Sequence, residues 1–142
     1  MTTRYMLDTN IISALMQDPR GPCAQRVRVV PDDSLCTSEI VRGELHFGIE
    51  KKRDVSPDKA DILTHRLDRV FSRLVVCSID DDASLHYGKL RAVLEKAGTM
   101  IGANDLWIAS HALALGCVMI TDNVSEFQRV PKLVVENWLR AT

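Results

Sequence analysis

Acidic side chains at four places in this sequence sit where a carboxylate is poorly served by its neighbours. Asp8 closes the apolar run Tyr5-Met6-Leu7. An ionised carboxylate beside buried strand residues is costly unless something compensates it, and the C-terminal ends of strands in an open parallel sheet are where ligands and metals collect. Glu44, placed on a helix, has Ile40, Val41, Phe47 and Gly48 at its i±3 and i±4 positions, which predicts a core-facing acid. Asp105 opens the apolar stretch Leu106-Trp107-Ile108-Ala109, where a first-turn acid stabilised by the helix dipole is the simpler alternative. The fourth place is Thr121-Asp122-Asn123-Val124-Ser125-Glu126-Phe127, after another apolar strand; here Asp122 and Asn123 can also be plain turn residues. Asp61 and Glu39, with polar or small neighbours at the same offsets, read as solvated helix positions.

Carboxylates that converge without Lys or Arg among them repel unless a divalent cation neutralises them, and hard oxygen ligands suit Mg²⁺ or Mn²⁺. Such a site suits hydrolysis of a phosphodiester, because the metal lowers the pKa of bound water and stabilises charge on the scissile phosphate. Thr9, Asn10 and Thr121 stand beside these acids and are suited to orienting them. No Ser-His-Asp order supports a hydrolase triad, and neither G-x-x-x-x-G-K nor G-x-G-x-x-G occurs. His111, at an apolar helix position, reads as a packed histidine, and Trp107 and Trp138 as core or dimer-face residues.

These acids need a frame. Strand-like runs at Arg4–Leu7, Ser34–Thr37, Leu74–Ser78, Val118–Thr121 and Leu133–Val135 alternate with helical stretches, the pattern of an α/β domain with a mainly parallel sheet. Ser38 caps a helix reaching about Glu50, with Lys51 to Val55 as a charged connection. Ser56-Pro57 opens a helix to about Arg73, and Asp80 to Asp82 cap one that ends near Ala97-Gly98. Asn104 or Asp105 begins a helix that stops at Gly116. Pro19-Arg20-Gly21-Pro22 is a turn between two short helices.

The 142 residues fit one domain, 1–142, and 46% hydrophobic content suffices for a core. A net charge of −1 is not the footprint of a general nucleic-acid binder, so any polyanion must be held by a local patch. Cys23, Cys36, Cys77 and Cys117 are far apart and read as reduced core thiols of a cytoplasmic protein. Neither a signal peptide nor a membrane span is expected.

Four strings, in order and over nearly the whole chain, resemble a known family: Met6-Leu7-Asp8-Thr9-Asn10; Glu44-Leu45 followed by Gly48; Gly102-x-x-Asp105-x-x-Ile108-Ala109-x-His111-Ala112-Leu113; and Thr121-x-Asn123-x-x-Glu126-Phe127. Together they are similar to PIN-domain endoribonucleases of the VapC toxin type. The resemblance implies a parallel sheet flanked by helices, Mg²⁺ or Mn²⁺ held by acids, and RNA cleavage leaving a 3′ hydroxyl. It also implies a homodimer inhibited by a cognate VapB-type antitoxin. Carried over by motif, Asp8, Glu44 and Asp105 are catalytic and metal-binding acids. Many relatives have an aspartate where this chain has Asn123, so Glu126 is taken as the fourth carboxylate with Asp122 as the alternative; Thr9, Asn10, Thr121 and Asn123 support them. The Asn104-to-Trp107 and Thr121-to-Phe127 strings are most similar to toxins that cut the anticodon loop of initiator tRNA.

Candidate phosphate contacts are Lys51, Lys52 and Arg53, then Arg20, Arg26 or Arg28, Arg91 and Lys96. Two rival readings use the same acids. A receiver-like Mg²⁺-binding regulatory domain explains Asp8 and Thr121 but leaves Glu44 without a role. A Mg²⁺-dependent phosphatase with an aspartyl nucleophile wants an acid two residues after Asp8, where Asn10 stands.

Overall fold

The computed structural model describes residues 2–140. Among them, five strands form one all-parallel sheet: β1 (Tyr5–Leu7), β2 (Leu35–Ser38), β3 (Val75–Cys77), β4 (Val118–Ile120) and β5 (Val135–Glu136). Seven α-helices connect and cover them: α1 (Thr9–Gln17), α2 (Pro22–Val29), α3 (Glu39–Val55), α4 (Pro57–Phe71), α5 (Asp81–Ala97), α6 (Ala103–Leu115) and α7 (Val124–Phe127). The strand order is β3-β2-β1-β4-β5, so the chain starts in the middle and builds outward in both directions. The direction of winding reverses between β1 and β4. That reversal opens a crevice beyond the C-terminal ends of these two strands, the usual ligand position in open α/β sheets.

The central position of β1 explains its composition. Met6 and Leu7 are fully buried, as are Ile11 and Ile12 on α1, and Met119 and Ile120 lie alongside on β4. Each such side chain contributes about 1.5–3 kcal/mol on leaving water, so the strand that carries Asp8 is anchored by its immediate neighbours. The helix ends follow their local chemistry. Ser38 caps α3 through Ile40 N, Ser56 caps α4 ahead of Pro57, and Asp80 caps α5 through Ala83 N. Gly98 and Gly116 end α5 and α6 with φ of 70° and 69°, a left-handed conformation that favours glycine.

Several boundaries differ from expectation. Lys51 to Val55 is not a connection but the last turn of α3. Its charged residues are good helix formers, and Arg53 bonds Glu50 within the helix and Asp61 on α4, which carries the helix through to Ser56. α6 begins at Ala103, capped by the backbone of Gly102 rather than by Asn104 or Asp105. The last strand is only Val135–Glu136, because Lys132 adopts a φ of 68° and the chain is still turning at Leu133. No described helix is long and apolar enough to cross a membrane.

Candidate active site

Asp8 ends β1 and caps α1, so a single extended residue turns the central strand into a helix and leaves its carboxylate at the crevice. It is 4% exposed. Oδ1 accepts from Thr9 N at 2.8 Å; Oδ2 accepts from Thr121 Oγ1 at 2.7 Å and from Asn10 Nδ2 at 3.3 Å. Hydrogen bonds to a charged group contribute about 1.5–3 kcal/mol each, comparable to the several kcal/mol that burial of a carboxylate costs. Burial still wins: the carboxyl is held above its ordinary pKa, with the bonds from Thr121 and Thr9 opposing the shift and the charge of Glu44 adding to it. Thr121 is itself oriented by Asn10 Nδ2 (3.3 Å) and Asn123 N (3.0 Å), both donating to its oxygen.

Glu44 reaches the crevice from α3. Its Oε1 accepts from Thr9 Oγ1 at 2.6 Å and its Oε2 from Asn104 Nδ2 at 3.1 Å, so one carboxylate ties α3 to the starts of α1 and α6. It is half-buried and does not face the core as the apolar neighbours suggested. Phe47 is 65% exposed and Gly48 is exposed; of the four neighbours only Val41 lies in the core. The helix presents its core face one position round, through Val41, Leu45 and Ile49, and Glu44 stands at the edge of that face beside the crevice.

Asp105, in the first turn of α6, has its carboxyl pushed up to about 7 by burial and then by the charges of Asp8, Glu126 and Glu44. The favourable helix dipole is outweighed. Three acids acting on Asp105 bring together, in one crevice, Asp8 from β1, Glu44 from α3 and Glu126 from α7. Glu126 is held low, chiefly by Gly102 N, which donates to Oε1 at 2.5 Å, and by Asn123 Nδ2, which donates to Oε2 at 2.6 Å. Asn123 Nδ2 also stands 3.4 Å from Asp105 Oδ2, so this neutral amide bridges two acids. A Cβ at position 102 would stand 3.4 Å from Glu126 Oε1 and 3.9 Å from Asp105 Oδ2, ordinary contact distances that place this residue against both acids.

Asp122 is not part of this group. Its carboxylate accepts from Asn137 Nδ2 and Arg140 Nε, both at 2.9 Å, and these hold it below its usual range. Only its backbone N–H serves the crevice, donating to Asn10 Oδ1 at 2.9 Å. His111 is buried, with Nδ1 2.9 Å from Ser38 Oγ, and burial lowers its pKa; it packs α6 against the end of β2. Asn104 escaped sequence reasoning as a site residue. The available signal was its place directly before Asp105, where one helix start aims two polar side chains at the same crevice.

The donor set fits a hard divalent cation. Among the described residues no Lys or Arg forms an ion pair with Asp8, Glu44, Asp105 or Glu126, and every hydrogen bond they accept comes from a neutral donor. No three of the described acids, histidines or cysteines are already drawn around one point tightly enough to hold an ion. Arg129 acts on Glu126 only from a distance, helping to hold it low, so among the described residues the group's negative charge is assembled without a bonded cationic side chain. Of the basic candidates, Lys51, Lys52 and Arg20 are exposed, whereas Arg53 is committed to Glu50 and Asp61.

Residues 5–133 match the family model described as PIN domain. The chain is 41% identical over 139 residues to Ribonuclease VapC1 of Haemophilus influenzae, covering 96% of this chain and 98% of that one. It is 33% identical over 135 residues to a tRNA(fMet)-specific endonuclease VapC of Salmonella typhimurium, covering 95% and 98%. A crystal structure of VapBC2 from Rickettsia felis bound to a promoter DNA fragment superposes with a TM-score of 0.87 at 34% identity, covering 96% of this chain and 99% of that one. With a matching domain model and relatives of this identity along nearly the whole length, the chain belongs to the PIN-domain family and, within it, to the VapC ribonucleases.

Proposed function

We propose that the chain is the toxin of a toxin–antitoxin pair, an endoribonuclease that hydrolyses phosphodiesters of a structured RNA with Mg²⁺ or Mn²⁺ bound by Asp8, Glu44 and Asp105 and with Glu126 as the fourth carboxylate. The observation that carries this reading is the meeting of four carboxylates at the β1/β4 crevice with only neutral donors around them. A bound divalent ion supplies a more acidic water and charge stabilisation at the scissile phosphate. The chain's own residues position the acids. Thr121 and Asn10 fix the Asp8 carboxylate, Thr9 and Asn104 hold both oxygens of Glu44, and Asn123 donates to Glu126 and Asp105, whose carboxyl groups also bond each other. Glu126, tied to Gly102 N, also keeps the start of α6 in place.

The relative from Salmonella typhimurium carries tRNA(fMet) in its name. That supports initiator tRNA as the substrate; a cut in its anticodon loop is what the family resemblance implies, and unstacked loop bases are what a protein of this size can read in structured RNA. The Rickettsia felis neighbour is a VapBC complex, which supports a VapB-type antitoxin as partner. A hollow of about 400 Å³ between α1, α2 and α4 offers such a partner an apolar floor, including Leu15, Met16, Val27 and Val70, with Arg66 and Arg69 at its edge. Homodimerisation follows from the family resemblance. Four free cysteines support a reducing, cytoplasmic setting.

The test is cleavage of a panel of deacylated tRNAs by the purified chain, with cut sites mapped by primer extension. Cleavage is expected with Mg²⁺ or Mn²⁺ and none with EDTA. Asp8→Asn should fold normally and cut slower by on the order of 10³-fold, the scale of losing one preorganised charge at a transition state. Full cleavage by Asp8→Asn, or in EDTA, sinks the metal-site reading.

A further inference from the structure

Helix α3 continues beyond Glu44 as a stripe of two side chains that the acid cluster does not use. Phe47 and Lys51 lie at i+3 and i+7 from Glu44, on the same face of the helix and successively farther from β2. Phe47 is 65% exposed, the only aromatic in the exposed class among the described residues. Long helical side chains lean back toward the residues three and four earlier. Phe47 therefore leans toward Gly43 and Glu44, and position 43, lacking a side chain, has open space about it. Lys51 leans the same way, with Nζ 5.3 Å from the Phe47 ring centroid. Among the described residues neither Lys51 nor Lys52 forms an ion pair.

We propose that Phe47, backed by Lys51, is a stacking platform for one unpaired RNA base adjoining the scissile phosphate. The proposal rests on the ribonuclease reading of the acid crevice. Its chemistry favours a base over an apolar protein partner. Phe47 is a lone ring whose i±3 and i±4 neighbours are Gly43, Glu44, Glu50 and Lys51, whereas protein-docking surfaces gather several apolar residues into one patch. A single aromatic face beside a free cation is what single-stranded nucleic acid uses: the ring takes the base and the cation the neighbouring phosphate. Glu44 is about 5 Å along the helix axis from Phe47 and about 10 Å from Lys51 at 1.5 Å per residue, so the platform adjoins the place where the strand would be cut.

The test compares wild type with Phe47→Ala, Phe47→Leu and Phe47→Trp on the tRNA that wild type cleaves best, reading KM and kcat separately and measuring oligomeric state by light scattering on the same samples. Val29→Ala, 78% exposed on α2, is the control for loss of a surface apolar group. Alanine and leucine are expected to raise KM about tenfold, within the range for loss of one base stack, and tryptophan to restore it. Lys51→Gln should weaken binding and lower the salt dependence by about one phosphate contact. The proposal is overturned if leucine matches wild type, if KM stays unchanged in Phe47→Ala, or if Phe47→Ala instead alters oligomeric state or antitoxin affinity, which would make this face a protein contact. Wild type that cleaves no RNA in the panel defeats the ribonuclease reading, and the platform with it; wild type that cleaves alongside an unchanged Phe47→Ala defeats the platform alone.

Discussion

Asp8 and Asp122 end neighbouring parallel strands, one residue beyond β1 and two beyond β4, yet their carboxylates live in opposite worlds. Asp8 is buried, accepts only from neutral donors and is held above its ordinary pKa. Asp122 turns outward, accepts from the Arg140 guanidinium and Asn137, and is held below it. The difference lies in what neutralises the charge. An acid satisfied by an arginine has its counterion and serves the fold; an acid kept among hydroxyls and amides beside other acids still lacks one, and that deficit is where a cation and its chemistry enter. Asp105 shows the same deficit most strongly, since three other carboxylates act on it.

The contrast is sharpened most by removing a charge from the deficient side. Asp105→Asn should abolish cleavage and, in EDTA, stabilise the fold. In the metal-free protein the carboxyl, pushed up to about 7, binds a proton more readily folded than unfolded. Its contribution to stability is therefore greatest in acid and lost as pH rises from about 4 through 7. The asparagine lacks this loss. A gain of about 1–2 kcal/mol at pH 7.5 is expected, less than half of what the full displacement is worth at about 1.4 kcal/mol per unit, because solvent and the Glu126 partnership absorb part of it. Denaturant melts in EDTA at pH 5 and 7.5 measure it. Mn²⁺ should raise the melting temperature of wild type and leave that of the variant nearly unmoved. A variant less stable than wild type at pH 7.5 would mean that the charge is compensated after all.

A smaller effect probes the neutral donors themselves. Asn104→Ala leaves Glu44 Oε2 without its partner while Thr9 still holds Oε1. A carboxylate free to rotate at the edge of the crevice should cost about tenfold in kcat, the equivalent of one hydrogen bond to a charged group, and weaken Mn²⁺ binding measured by titration calorimetry. Asn104→Gln, which keeps the amide, should recover part of both. Equal kcat in all three would mean that Thr9 alone positions Glu44.

Which side of this contrast an acid falls on was only half legible in the sequence. Asp8 was readable because it follows a strand buried at the centre of the sheet, and strand ends are fixed by hydrophobic pattern. Asp105 was legible only through the family resemblance, since on its residues alone a first-turn acid stabilised by the helix dipole was the simpler reading. Glu44 was singled out on an argument that the structure corrects: its apolar neighbours suggested the core, but Phe47 and Gly48 are exposed and the acid stands at the boundary, beside the crevice. Periodicity says which residues share a face without saying what covers that face. The extension of α3 through Val55 was hidden because its last turn is held by ion pairs rather than by an apolar stripe. Asp122 and Glu126 were separable only by the family motif, which favoured Glu126, and not by local pattern. Their fates depend on side-chain direction after a strand end, and on Asn137, Arg140 and Gly102, none of which is a near neighbour of both.

Asp122→Ala therefore offers the smallest effect and the cleanest cut between the two kinds of acid. The ion pair it breaks is a surface one, with the Arg140 side chain 75% exposed and that of Asp122 32% exposed, so solvent screening leaves it worth about 0.5 kcal/mol. The Asn137 bond adds a comparable amount, because Asn137 Oδ1 also accepts from Leu139 N and so shapes the turn that seats the buried Trp138. A loss near 1 kcal/mol at neutral pH is expected by denaturant melt. It should shrink as pH falls, since a carboxyl with a lowered pKa contributes its stability above the unfolded value and loses it on protonation. The backbone N–H that Asp122 gives to Asn10 survives the substitution, so Asp8 stays oriented and cleavage should change less than twofold. A drop on the scale of Asp8→Asn would break the comparison, because it would require the Asp122 carboxylate to leave Arg140 and swing into the crevice during the reaction.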